Sequence, residues 1–444
     1  MKDIAAAVER YREMILEAER YIWANPETGY KEVKTSAYME KAFRELGYEL
    51  TLADGITGFY TVIDTGREGP EVLILGEMDS VICPSHPNAD PVTGAVHSCG
   101  HNAQCAALLG VAAALTDKRV LDKLSGRIRL CVVPAEELLE IEYRSELKKQ
   151  GKIKYFGGKS EFLHRGYFDG VDLAFMVHTG GSFCVIGGAN GCIAKNMIYK
   201  GQAAHAGASP HKGINALYAA TCGINAVNAI RETFCDGDQI RVHPIVTHGG
   251  DMVNAIPATV MLESYVRGKT FSAMEKENKK VNRALCGAAL SLGANVEIID
   301  IPGYSPLVNA PDMIKLCADA AALALPEVPF TVKETAFSCG STDMGDLSCL
   351  MPVVHPYAAG CRGAGHGNDY EICDPVAACV ENAKWQTAML LLLLGDGAAR
   401  AKQIVADFKP LFASKEEFLA YQDSLNSSGD RILYREDGRA EVIL

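Results

Sequence analysis

Three short apolar runs constrain what this chain can fold into. Val72 to Leu75, Ile128 to Val133 and Leu173 to Val177 are nearly continuous in apolar residues and lack an in-out alternation. Such runs are buried on both faces, as in parallel or mixed sheets covered by helices. The Ala- and Leu-rich segment Asn102 to Leu115 reads as one of those helices. Strands alternating with helices predict an α/β fold. Each run also leads into residues that carry chemistry. Glu77-Met78-Asp79 follows the first, Glu136 and Glu137 the second, and His178 the third. In open α/β sheets the ligand crevice lies outside the carboxyl ends of the strands.

The pattern changes after about Gly188. Ile193 to Tyr199 reads as a strand, Asn215 to Ile230 as a helix, and Ile240 to Val246 and Val260 to Val266 as strands. A helix at Ser272 to Leu292 and a strand at Val296 to Ile301 complete a βαββαβ order, the ferredoxin-like pattern. The expected organisation is an inserted domain at 189–303, within a discontinuous domain formed by 1–188 and 304–444. Residues Ile4, Val8, Tyr11, Ile15 and Ile22 recur at helical spacing, so one amphipathic helix is expected to open the chain. A second, about Thr35 to Leu46, stops before Gly47, a C-cap residue. Pro311 to Leu325 and Pro375 to Leu394 read as later helices, and the charged tail beyond Gly395 has no assigned structure.

A net charge of -12 weighs against nucleic acid or an anionic membrane as partner. The run Ala388 to Leu394 is too short to span a bilayer. The 15 cysteines form no small disulfide scaffold, and Met1 to Glu19 lacks the apolar core of a signal peptide. A reduced, cytoplasmic setting is the expectation.

The densest chemistry lies in His97-Ser98-Cys99-Gly100-His101. A thiolate and an imidazole two residues apart suit zinc or a similar ion, although that spacing also arises by accident. The adjacent carboxylates Glu136 and Glu137 offer one ligand and one proton acceptor, or else form a solvated acidic turn. His178 ends a buried strand. His366 sits between glycines in Gly365-His366-Gly367, and His355 competes for the same role. Asp79 either starts a turn or accepts from a ligating imidazole and fixes its tautomer. Together these residues point to metal-assisted hydrolysis. In the inserted domain His205, Asn254 and Arg267 read, taken singly, as structural or surface residues.

Taken together the motifs resemble the aminoacylase and carboxypeptidase group of two-metal peptidases. Within it they resemble the amidohydrolase branch of aminobenzoyl-glutamate hydrolases, auxin-conjugate hydrolases and certain dipeptidases. The matching pieces are Glu77-Met78-Asp79, His97 to Asn102, Pro134-Ala135-Glu136-Glu137, Val177-His178-Thr179, Ala204-His205-Ala206, Asn254 to Pro257, Ser341 to Asp346 and Gly365-His366. The resemblance implies a mixed-sheet metallopeptidase catalytic domain with an inserted lid domain that pairs two subunits into a homodimer. It implies two divalent ions, zinc or manganese, held by Cys99, His101, Glu137, His178 and His366. Glu136 would be the general base and His205 a contact to the substrate carbonyl, while Asn254 and Arg267 would lie near a substrate carboxylate. The substrate would be a small-molecule amide: an N-acyl amino acid, aminobenzoyl-glutamate or a dipeptide. The chain departs from the commonest pattern at Asn102, at Gln104 and around His366. The first of these, with the segment Ile141 to Gly170, points toward the aminobenzoyl-glutamate and dipeptidase members.

Two other readings stay open on sequence. The departures are compatible with a non-catalytic binding protein of the same fold. A cysteine hydrolase using Cys99 with His101 is weaker, because residues two apart rarely place nucleophile and base together.

Overall fold

A computed structural model describes residues 2–444 and divides them into two compact units. The first runs up to Gly188 and takes in Val308–Phe337 and Asp346–Lys415; the second comprises Ala189–Leu307, Ser338–Gly345 and Glu416–Leu444.

The first unit is built on a six-stranded mixed sheet. Its order is Thr51–Leu52, Phe59–Asp64, Arg127–Val133, Glu71–Glu77, Leu173–Phe175 and Val353–Val354. The last four of these strands pair in parallel, and the first two add antiparallel at one edge. Every residue of Glu71–Glu77 is buried, as its unbroken apolar run requires. The helix His101–Leu115 is buried along its whole length, which is why its sequence shows no polar face. Arg12–Trp23 and Asn382–Leu394 pack against it. Among the described residues no helix is long and apolar enough to cross a membrane.

Several local expectations are corrected. The opening helix is two, Lys2–Glu9 and Arg12–Trp23, because the Tyr11 amide bonds back to Val8 and tightens the turn between them. The strand expected through Val177 ends at Phe175, and His178–Thr179 joins Tyr357–Ala358 in another sheet. The helix expected from Pro375 opens with a π-helical stretch, Val376–Glu381. The tail holds the helices Ala399–Asp407 and Lys415–Ser424, then a hairpin of Ile432–Tyr434 with Ala440–Val442.

The second unit carries an antiparallel sheet in the order Arg241–Val242, Thr259–Gly268, Gly191–Lys200 and Asn295–Tyr304. Helices Ala216–Ala229 and Phe271–Ser291 pack on each other and on the sheet. This is the ferredoxin-like strand order of a βαββαβ unit. The strand expected over Ile240 to Val246 is split into Arg241–Val242 and Ile245–His248. Pro244, between the two pieces, has no amide to give the ladder. The C-terminal segment groups with this unit for a specific reason. It runs along the outer edge of Asn295–Tyr304, with the Asp300 amide bonded to the Ser427 carbonyl at 2.8 Å and the Arg431 amide to that of Val296 at 2.9 Å. An otherwise open sheet edge is thereby covered.

Candidate metal centre

In the first unit the strand ends and two loops bring the motif residues together. Gly100 separates Cys99 from His101 and has φ 85°. A Cβ there would run into the side chains of Thr179 and Tyr370, so only glycine fits. His101 begins the buried helix. Its Nδ1 lies 2.8 Å from the Asp79 carbonyl oxygen and 3.2 Å from Asp79 Oδ1. An acceptor at Nδ1 directs the ring's lone pair to Nε2, the nitrogen a metal would use. His178 repeats this logic, with Nδ1 2.8 Å from the Thr179 carbonyl oxygen and Nε2 3.4 Å from Cys99 Sγ.

Glu136 and Glu137 follow Ala135, whose φ is 57°. A left-handed turn at a residue with a Cβ costs about 1–2 kcal/mol. It lets neighbouring carboxylates leave the strand end in different directions. The Glu137 amide donates to Asp79 Oδ2 at 2.7 Å, so one aspartate fixes both the His101 ring and the Glu137 backbone. Glu136 Oε2 lies 3.9 Å from His101 Nε2. His366, also in the left-handed region, brings Nε2 to 3.0 Å from Glu137 Oε1, and its amide donates to the Ser98 carbonyl at 2.8 Å.

Among the described residues, three overlapping sets have donor atoms within 4.8 Å of one another: Cys99-His101-His178, Cys99-Glu137-His366 and Glu77-His101-Glu136. Buried His101 Nε2 and Glu137 Oε1 make no hydrogen bond, although charged or imidazole neighbours stand close. Polar atoms that face one another without hydrogen bonds are what a cation between them would satisfy. The donor set of thiolate, imidazole and carboxylate suits zinc and its neighbours.

The ionisable groups of the cluster act strongly on one another. Burial and Glu137 oppose ionisation of Cys99, but His101 and His178 outweigh them and bring the thiol down to about 6. Glu137 raises the His366 imidazole to about 11. Burial would lift Glu77, yet Lys159 and His101 hold it at about 2. His355 and His97 are pushed down by burial to about 3 and stay neutral.

His355 packs its ring 5.7 Å from that of His178, and it is His366 that approaches Glu137. Glu77 has no assigned role on sequence alone, yet its Oε2 is 3.3 Å from His101 Nε2. Its buried carboxylate is paired with Lys159 and accepts from Gln104 Nε2 at 2.9 Å. Asn102 donates to buried Glu19 at 2.8 Å. Both departures in the first helical turn therefore serve buried carboxylates. An acidic residue closing the apolar run Val72 to Leu75 was the available signal.

The remaining candidates lie in the second unit. His205 Nδ1 accepts from the amides of Gly207 at 3.2 Å and Ala208 at 3.0 Å, which leaves its proton on Nε2. Asn254 is exposed, and its carbonyl accepts from the Ala206 amide at 2.9 Å. Arg267 Nη1 donates to Ser341 Oγ at 3.0 Å, and its guanidinium lies 5.1 Å from the Tyr265 ring centre.

The sequence profile of peptidase family M20/M25/M40 matches residues 73–391, and the chain belongs to this family of amide-bond hydrolases. It is 26% identical to the Xaa-Arg dipeptidase of Mus musculus over 416 residues, covering 91% of this chain and 88% of that one. It is also 26% identical to a p-aminobenzoyl-glutamate hydrolase homolog of Haemophilus influenzae over 298 residues, covering 64% of this chain and 66% of the relative. A solved dinuclear metal-binding peptidase of the M20 family from Bacillus subtilis shares the fold, with TM-score 0.63 and 20% identity over 87% of this chain and 99% of that one.

Proposed function

We propose that the chain hydrolyses an amide bond beside a free carboxylate in a small molecule: an N-acyl amino acid, aminobenzoyl-glutamate or a dipeptide. Cys99, His101, Glu137, His178 and His366 would hold two divalent ions, zinc or manganese. The observation that carries this reading is the convergence of these donors around Cys99 and Glu137, with Glu136 beside them. Bound cations supply Lewis acidity and bring the pKa of water to about 7.

The protein's own groups do the rest. Glu136 takes the proton of the attacking water and returns it to the departing amine nitrogen. His205 donates from Nε2 to the substrate carbonyl oxygen, its Nδ1 being occupied by two amides. Asn254 and Arg267 bind the substrate carboxylate. The second unit pairs two copies into a homodimer. Support for that comes from the exposed edge strand Ile245–His248 and from Tyr218 on the neighbouring helix.

The decisive variant is Glu136→Gln. It keeps the shape and removes the base, so turnover falls by about 10²–10⁴-fold while metal content measured on the purified protein stays unchanged. Full turnover with metal retained overturns the role. Activity that survives chelation favours the cysteine-hydrolase reading instead. The assay panel compares aminobenzoyl-glutamate, acyl amino acids and dipeptides, each with added zinc or manganese.

A further inference from the structure

The elbow that carries Glu136 and Glu137 needs to be held, because Ala135 sits in the left-handed region. Three ionisable side chains grip its main chain. Glu32 Oε1 accepts from the Ala135 amide at 2.8 Å, and Asp79 Oδ2 accepts from the Glu137 amide at 2.7 Å. The third is Arg144, on the helix Ile141–Lys149.

Arg144 is 1% exposed. Its Nη1 donates to the carbonyl of Phe156 at 2.6 Å and to that of Ala135 at 3.4 Å, and its Nη2 donates to the carbonyl of Glu137. Among the described residues these main-chain oxygens take all its hydrogen bonds, and Nε has none. Burying a guanidinium is costly, and its usual partner is a carboxylate. Here the planar fork instead bridges the carbonyls on either side of Glu136. A lysine ammonium is a single point donor and does not reproduce a fork. The space is also closed on its far side. A Cβ on Gly29 would strike the guanidinium and would come within 2.9 Å of the Ala135 Cα.

We infer that Arg144 is a positioning residue. By holding the carbonyls of Ala135 and Glu137 it keeps the elbow turned so that Glu136 and Glu137 diverge, one as base and one as ligand. The inference rests on the roles proposed above for those two carboxylates.

The test uses the full chain with Arg144→Ala and Arg144→Lys. Apparent affinity for zinc and for manganese is measured by competition with a chelating dye, and kcat and KM on whichever substrate the wild type cleaves. Arg144→Ala is expected to lose about 10–100-fold in metal affinity. Its kcat falls by about 10²-fold with KM nearly unchanged, as expected when a reacting group is displaced. Arg144→Lys does no better. Guanidinium chloride at millimolar concentration restores part of the metal affinity to Arg144→Ala and none to Arg144→Lys. Wild-type metal affinity in Arg144→Lys overturns the inference. So does a folded Arg144→Ala protein, by circular dichroism, whose loss guanidinium does not repair. If Arg144→Ala does not fold, the Arg144→Lys titration decides. A wild type that binds metal but cleaves nothing defeats the proposed function, while the dye titration still decides this inference.

Discussion

One buried charge cluster in each unit makes a contrast. In the second, Lys195 is fully buried beside Asp300, and every charged atom of the pair has a partner. Lys195 Nζ donates to Asn282 at 2.6 Å as well as to Asp300, whose other oxygen accepts from Asn278 at 2.8 Å and Asn282 at 3.0 Å. In the first unit, His101 Nε2 and Glu137 Oε1 are buried and make no hydrogen bond. Burial of charge therefore does not by itself mark a reactive site; here several ligand-type side chains converge with their hydrogen bonding unfinished. The charged atoms of the Lys195 cluster are satisfied within the protein, while those of the His101 cluster leave room for a cation.

The largest effect expected from this contrast is on stability alone. Lys195→Met leaves Asp300 buried without its cation and costs about 3–5 kcal/mol, read from the denaturation midpoint. Metal affinity of the folded protein stays at the wild-type value. A large change in that affinity breaks the contrast.

Glu19 offers a second comparison. Asp300, paired, has its carboxyl held below the usual range by Lys195 against the pull of burial. Glu19 is pushed up by burial from 4.5 to about 7, with only Arg20 and Asn102 to oppose it. The folded state then binds the extra proton between those values, so stability falls as pH rises through that window and levels off above it. The loss is on the order of 3 kcal/mol. Glu19→Gln removes the slope and is the more stable protein at about pH 8, above the window. A parallel pH-stability profile for the two proteins rules this account out.

The smallest effect comes from the cation. After chelation, zinc at about 100 times its Kd is expected to stabilise the protein by about 2.7 kcal/mol, seen as a rise in melting temperature. Cys99→Ser shrinks that rise, and Lys195→Met leaves it intact. An equal rise in Cys99→Ser removes Cys99 from the ligand set.

The fold class was legible because it depends on patterns a few residues long. Val72 to Leu75 and Ile128 to Val133 announce a sheet buried on both faces, and the alternation after Gly188 announces a βαββαβ unit. What escaped depends on pairings distant in the chain. Pro244 breaks a strand whose apolar flanks look continuous, because the missing amide matters only once the partner strand is known. The segment around Ser427 is polar and carries no strand pattern, yet it pairs with Asp300. At the centre the ligating residue types stood out at the strand ends. Their supports did not, because Gln104, Lys159 and Arg144 act on partners that no spacing rule connects to them.

The bond between the His366 amide and the Ser98 carbonyl bears on how the proposed centre would exchange ions. His366 is the half-exposed donor, with 54% of its side chain open to solvent. Its loop is tied to the residue just before Cys99. Swinging His366 aside would therefore tug on the loop that carries Cys99, the residue common to two of the donor groups. On the proposed ligand set a donor from each group would loosen together, and the two ions are expected to load and empty as a pair.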